Sequence, residues 1–290
     1  MHLLLALLLA VPTRELALAD CSAQIVAADG EKLWPGWSHA SRSLLLVTEE
    51  AEYFVAAPSA EMVVRPRKFD PKLLATFPAL SSEPTVVVGT PAATGKTETA
   101  WLLTLVHEHF HQFQYSQPGY YERTEKLGLS HGDQTGMWML DYAFPYTDRA
   151  VVDAYSAFSR AVAAALRARN TPAFAEQLRE AKHAWRTFRL ALKPDDYAYF
   201  RFQVWQEGVA RYTEVTLSAS PSCAAATAPA QLAARNALLA SLDKPNLLTE
   251  KRVAFYALGA AIAMLLDETS PDWKRSYNER PFEIDGYFAP

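Results

Sequence analysis

The chain reads as an α+β protein, on three observations. Between about Gln24 and Gly95, short runs rich in β-branched and aromatic residues alternate with Pro, Gly and Ser turns. From Thr97 onward the apolar spacing is helical, with long segments separated by Pro- and Gly-containing breaks. At the junction, residues 97–115 run without Gly or Pro and carry a His-Glu-x-x-His pattern in an otherwise apolar stretch.

The N-terminus opens with Leu3–Val11, nine apolar residues, too short to span a bilayer. Ala17-Leu18-Ala19 follows ahead of Asp20, and together they read as a secretory signal peptide over residues 1–19, with a secreted or periplasmic destination. A buried N-terminal segment is the other reading. Export would permit a disulfide between Cys21 and Cys223, the sole cysteines.

Residues 20–96 form the expected β-rich part, with strands over Ser43–Val47, Tyr53–Ala57, Glu61–Val64 and Thr85–Val88. Thr85–Gly89 is the strand expected to flank a cleft and pair with extended substrate. The loop after it, Gly89 to Thr97, has the outline of a phosphate loop. Five residues rather than four lie between its glycines, and Pro91 restricts its backbone. It is therefore expected to be a connection into the next helix, with Thr94 or Thr97 as N-cap.

Residues 97–290 form the helical part. In its first helix, side chains four apart stack on one face, so His107 and His111 can offer two imidazoles to one metal ion. Glu108 lies about 100° further round, placed to act on a metal-bound water as general base. The alternative is a strand, on which His107, His109 and His111 would share one side. The length of the run, its capping threonines and Glu98 in the first turn predict a helix instead. On that helix His109 points away from the ligand pair. Further helices are expected over Asp148–Arg169, Pro172–Leu192, Asp196–Leu217, Pro229–Leu242 and Leu248–Glu268. An aromatic loop, Gly136 to Tyr146, lies between the motifs and is expected to wall the cleft or to pack in the core.

A zinc site of the hydrolytic kind takes three protein ligands and leaves one position for water. The third ligand is expected at Glu207, in Trp205-Gln206-Glu207-Gly208-Val209-Ala210, although Arg211 at i+4 offers that carboxylate another partner. A His-Glu-x-x-His helix followed by Trp-x-x-Glu-Gly-x-Ala resembles the gluzincin branch of zinc metallopeptidases, and locally one of its aminopeptidase families. The resemblance implies a zincin-like fold, His107, His111 and Glu207 as ligands of one Zn2+, and Glu108 as base. It covers two short motifs: 95 residues separate His111 from Glu207, and no Gly-x-Met-Glu-Asn motif precedes the first helix. Aminopeptidase specificity is therefore not carried over. Tyr256 is placed where gluzincins often supply a phenol to the oxyanion; His131 is a second candidate for that role. Glu214 shares a face with Glu207 and could orient a ligand histidine.

A net charge of −4, a pI near 6.0 and the lack of a basic run exclude a nucleic-acid partner. The expected function is an exported zinc metallohydrolase acting on peptide or protein substrate. A zincin-like binding protein without turnover is the alternative.

Overall fold

Short segments of four to six residues, continuous apolar runs at the centre of the sheet, build a five-stranded sheet, and longer helical runs pack around it. The computed structural model describes residues 11–56 and 61–288. Most of Leu3–Val11 and the end of the strand expected at Tyr53–Ala57 therefore lie outside the described residues. The strands are β1 (Leu44–Val47), β2 (Ala51–Ala56), β3 (Glu61–Pro66), β4 (Leu74–Phe77) and β5 (Thr85–Gly89). Their order is β3-β2-β1-β5-β4, with β1 and β5 parallel and the other neighbours antiparallel.

β4 was not expected. Pro71 and Pro78 bracket it, and only four of the six residues between them form the strand, a run with no clear alternation. Its presence corrects the role given to Thr85–Gly89. β5 lies inside the sheet, buried along its length, and β4 is the free edge on the helical side of the molecule.

The principal helices are α1 (Thr13–Ile25), α2 (Glu98–Tyr115), α3 (Arg149–Arg167), α4 (Phe174–Leu190), α5 (Pro194–Gln203), α6 (Val209–Leu217), α7 (Ala224–Asp243) and α8 (Ala254–Thr269). Among the described residues, no helix is long and apolar enough to cross a membrane. α2 starts where Thr97 accepts a hydrogen bond from the Ala100 N–H, so the Gly89–Thr97 segment is the helix-entry loop expected of it. The histidines therefore sit on a helix, and the strand alternative with all three on one side is excluded. α7 begins at Ala224, ahead of the start expected at Pro229, in a run of alanines with high helix propensity. The expected helix from Asp196 to Leu217 is interrupted by a π turn, Val204–Gly208, between α5 and α6.

One sheet face (Leu44, Leu46, Tyr53, Val86, Val88) packs on Trp101 and Leu105 of α2 and on Ala19 of α1. α1 continues unbroken through Ala17–Ala19. Cys21 on α1 is disulfide-bonded to Cys223 at the start of α7, with Cα atoms 5.9 Å apart, inside the usual range. Behind α2, Trp34 lies 5.1 Å from the Phe110 ring and 4.8 Å from that of Tyr277. This fully buried aromatic cluster fixes how α2 is rotated about its axis.

α8 crosses the π turn at glycines. A Cβ added at Gly259 would stand 2.7 Å from the Gly208 Cα and 2.9 Å from the Val204 carbonyl oxygen, both backbone atoms that cannot swing away. Gly259→Ala is expected to lower stability by ~1–3 kcal/mol through overpacking, seen as a lower urea midpoint; an unchanged midpoint would mean that the two elements can part freely.

Away from this crossing, Glu52 is a buried carboxylate on β2. It accepts from the Lys68 and Phe69 amides at 2.7 and 2.6 Å and from the Arg65 guanidinium at 2.7 Å. Burial pushes its pKa up, but these bonds outweigh burial and hold it below the usual range. A depressed carboxylate contributes stability above its unfolded value, about 4.3, and loses it as pH falls through the folded value. Glu52→Gln should cost ~1–3 kcal/mol at pH 7, and its gap from the parent should close below pH ~4. Equal denaturant midpoints at pH 7 would contradict this.

Candidate metal centre

α2 brings His107 and His111 to one face, one helical turn apart, with ring centroids separated by 4.8 Å. Both are buried, at 6% and 5% exposure, a costly placement for imidazoles without partners. The partners come from the α5–π–α6 segment. Glu207 Oε2 lies 3.3 Å from His107 Nε2 and 3.4 Å from His111 Nε2, so one carboxylate oxygen is shared by two imidazoles. Donor atoms bound tetrahedrally to zinc at ~2.0–2.1 Å would stand ~3.3–3.4 Å apart. The spacing and the His2Glu donor set both fit zinc. Glu108 is adjacent: His107, Glu108 and His111 each offer a donor atom within 4.8 Å of the others.

Each imidazole is also held from behind. His107 Nδ1 lies 3.4 Å from Glu214 Oε2, and His111 Nδ1 lies 2.7 Å from Gln114 Oε1. These acceptors favour a proton on Nδ1 and aim each Nε2, the atom that would bind a metal ion, at Glu207. Gln114 is itself fixed, its amide donating to the Trp205 and Gln206 carbonyls at 3.1 and 2.9 Å. It thereby ties α2 to the π turn that carries Glu207. π turns within helices recur at functional sites.

The electrostatics follow from the packing. Burial works against charge on His107, but the carboxylates of Glu207, Glu214 and Glu108 outweigh it and raise its pKa to about 10. Glu207 is held well below the ordinary carboxylate range, the histidines overcoming its burial. Glu214 is held down in the same way by Arg211, 2.6 Å away, and by His107. A pocket with this much negative charge suits a divalent cation, which would take the place of the imidazole proton. Arg211, the alternative partner for Glu207, is engaged by Glu214 instead.

The other expected residues divide clearly. Tyr256, near the start of α8, stacks on His107 with ring centroids 6.1 Å apart, and Arg252 donates to its hydroxyl. Burial and the Glu207 charge keep that phenol protonated, its pKa well above the ordinary value. His131 is exposed and lines a separate hollow with Ser130 and Asp133, away from the centre. His109 faces the other way, its Nδ1 2.8 Å from Gln112 Oε1 and its Nε2 3.3 Å from the Ser22 hydroxyl on α1. Burial lowers its pKa to about 4, so it stays neutral as a packing residue.

Three residues at the centre were not anticipated. Thr76 on β4 donates to Glu108 Oε2 at 2.8 Å, and it was missed because its strand was missed. Gln114 could have been noticed as a polar side chain three positions after His111 in an apolar helix. Arg252, 3.5 Å from Glu207 Oε1, carries no local sequence signal. Thr76 and Arg252, with His107, Glu108, His111 and Glu207, open on a cavity of about 880 Å³. β4 forms one wall, and Met137, Met139 and Leu140 of the aromatic loop form another, as expected of that loop.

Gln114→Leu should remove the amide bonds to the Trp205 and Gln206 carbonyls and the acceptor at His111 Nδ1, and lower stability by ~1–3 kcal/mol, measured by chemical denaturation. An unchanged midpoint would show that Gln114 does not couple α2 to the π turn. Compared with protein-family descriptions, curated proteins and solved structures, the chain matches none.

Proposed function

We propose that the chain is an exported zinc-dependent metallohydrolase, a peptidase of the gluzincin kind with a zincin-like arrangement of its site. The observation that carries this is the convergence of His107 Nε2 and His111 Nε2 on one oxygen of Glu207, at 3.3 and 3.4 Å, beside Glu108 and inside a large cavity. His107, His111 and Glu207 would hold the ion. A zinc ion bound there supplies Lewis-acid polarisation of the scissile carbonyl and a more acidic water.

The remaining work falls to the protein. Glu108 takes the proton of the attacking water and delivers it to the leaving nitrogen. The Thr76 hydroxyl fixes one carboxylate oxygen of Glu108 and leaves the other for that transfer. The same hydroxyl proton is shared with the Glu108 backbone carbonyl, 3.0 Å away, which ties β4 to α2 at this position. The neutral Tyr256 phenol, held by Arg252, is a donor for negative charge developing on the substrate oxygen. β4 is a sheet edge on the cavity wall, and its backbone groups suit an extended peptide laid alongside it. The disulfide between Cys21 and Cys223 accords with an oxidising compartment.

The expected result is one zinc per chain by elemental analysis, lost in His107→Ala and in His111→Ala. Glu108→Gln should keep the metal and lose hydrolysis of a mixed peptide library by ~100-fold or more. Zinc-free protein, with no thermal shift on adding zinc, would refute the proposal. Turnover undiminished in Glu108→Gln would remove Glu108 from the role of base.

Glu207→Gln should weaken zinc binding, because a neutral amide replaces the charged donor shared by the two imidazoles. Competition with a chromogenic chelator measures this, and unchanged affinity would argue against Glu207 as the third ligand.

A further inference from the structure

Arg252 differs from three other partly buried arginines of the chain. Arg65, Arg201 and Arg211, with side chains 26%, 28% and 32% exposed, hold carboxylates at 2.7, 2.8 and 2.6 Å: Glu52, Asp285 and Glu214. Arg252 is no more exposed, at 23%, and lines the cavity beside the candidate metal centre. Among the described residues, the one carboxylate within 4.0 Å of it is Glu207, through a single contact of 3.5 Å. Its other bond goes to a phenol, Tyr256. A guanidinium has five N–H donors in a rigid fork that matches a carboxylate with two parallel bonds. Most of that fork is unused by the protein.

Glu207 is also a poor counter-ion for it. Its Oε2 is shared by His107 and His111, and on the metallohydrolase reading its charge is committed to the cation. Arg252 would then stand in a partly desolvated cleft with no counter-charge, a costly arrangement unless an anion arrives with the ligand. Glu250 lines the same cavity but makes no ion pair with it. Lys96, the cavity's other cation without a carboxylate partner, is on the loop before α2 and not beside Glu207.

We infer that Arg252 receives a carboxylate of the substrate, so that the chain acts on peptides bearing a carboxylate next to the bond that is cut. The inference rests on the metallohydrolase reading. The 3.5 Å contact with Glu207 places the bound anion about one or two residues from the scissile bond, given ~3.3–3.6 Å of chain per residue. The carboxylate could be the C-terminus of the peptide or an Asp or Glu side chain. The recognition chemistry is the same, and the test separates the two.

The test uses the full-length chain carrying Glu108→Gln, loaded with zinc, and isothermal titration calorimetry. The probes are three tetrapeptides of one apolar sequence: the free acid, the C-terminal amide, and the amide with Glu at the third position. One of the two acidic probes should bind at least ~10-fold more tightly than the neutral amide, as charge-assisted fork pairing implies. Which of them does so identifies the source of the carboxylate. Adding Arg252→Met should reduce that advantage to within about 2-fold while zinc stays at one per chain, and adding Lys96→Met should leave it in place.

Equal Kd values for the three probes, or no binding by any of them, would overturn the inference. So would an advantage that survives Arg252→Met or disappears with Lys96→Met. If Arg252→Met loses zinc, Arg252→Lys decides, and an advantage retained there in full counts against fork recognition. Zinc analysis keeps the two ideas apart. A parent chain with one zinc and equal Kd values fails this inference alone, whereas a parent without zinc fails the metallohydrolase reading and this inference with it.

Discussion

Two imidazoles and a carboxylate are buried at one point, and they cannot be stable there unless their charges and hydrogen bonds are matched together. Much of the surrounding architecture meets that requirement. Glu207 faces both histidines, Glu214 and Gln114 support their far nitrogens, and Gln114 is pinned to the carbonyls of the segment that carries Glu207. On its far side, α8 packs on that segment through the close backbone contact between Gly208 and Gly259, and a side chain on either would wedge the two apart. Local polar matching and helix packing are thus one problem with one solution.

The parts of this arrangement readable from the chain are those whose information is local. The His107–His111 pair follows from helical period, and the α2 run was long and free of breakers. The importance of Glu207 could be argued because Gly208 and Ala210 follow it in a recognisable order. The α+β division was legible for the same reason, since the spacing of apolar residues changes near Thr97. What was lost is non-local. β4 is four residues between prolines, and only its pairing with β5 makes it a strand. Thr76 was invisible with it, and so the group that orients Glu108 was missed. The π turn left no trace in a pattern that reads as one continuous helix from Asp196 to Leu217. Arg252 is an ordinary arginine until the fold carries it to Glu207.

The cavity combines walls of different character. On one side β4 offers backbone groups at a sheet edge; on another, Met137, Met139 and Leu140 offer adaptable apolar surface. Its charge is densest where the histidines, Glu108, Glu207 and Arg252 meet. A ligand would be aligned by main-chain contacts and anchored by side-chain burial, while polar recognition is confined to a short segment. This division keeps the charged groups away from bulk water, where their interactions would be screened.

The bond between Cys21 and Cys223 closes a covalent ring with a sequence separation of 202. His107, Glu108, His111 and Glu207 all lie inside that ring, whereas Arg252 and Tyr256 lie outside it, on the C-terminal segment. A protease that nicked the exposed stretch around His131 to Leu140 would therefore leave both pieces tethered, with α2 and the Glu207 segment still joined through α1 and α7. A cut between Cys223 and Arg252 would instead free a fragment carrying the phenol and the guanidinium. The molecule's tolerance of proteolysis is thus polarised along its sequence, with the His107, His111 and Glu207 face protected by a covalent tether and the Arg252 segment held by non-covalent contacts.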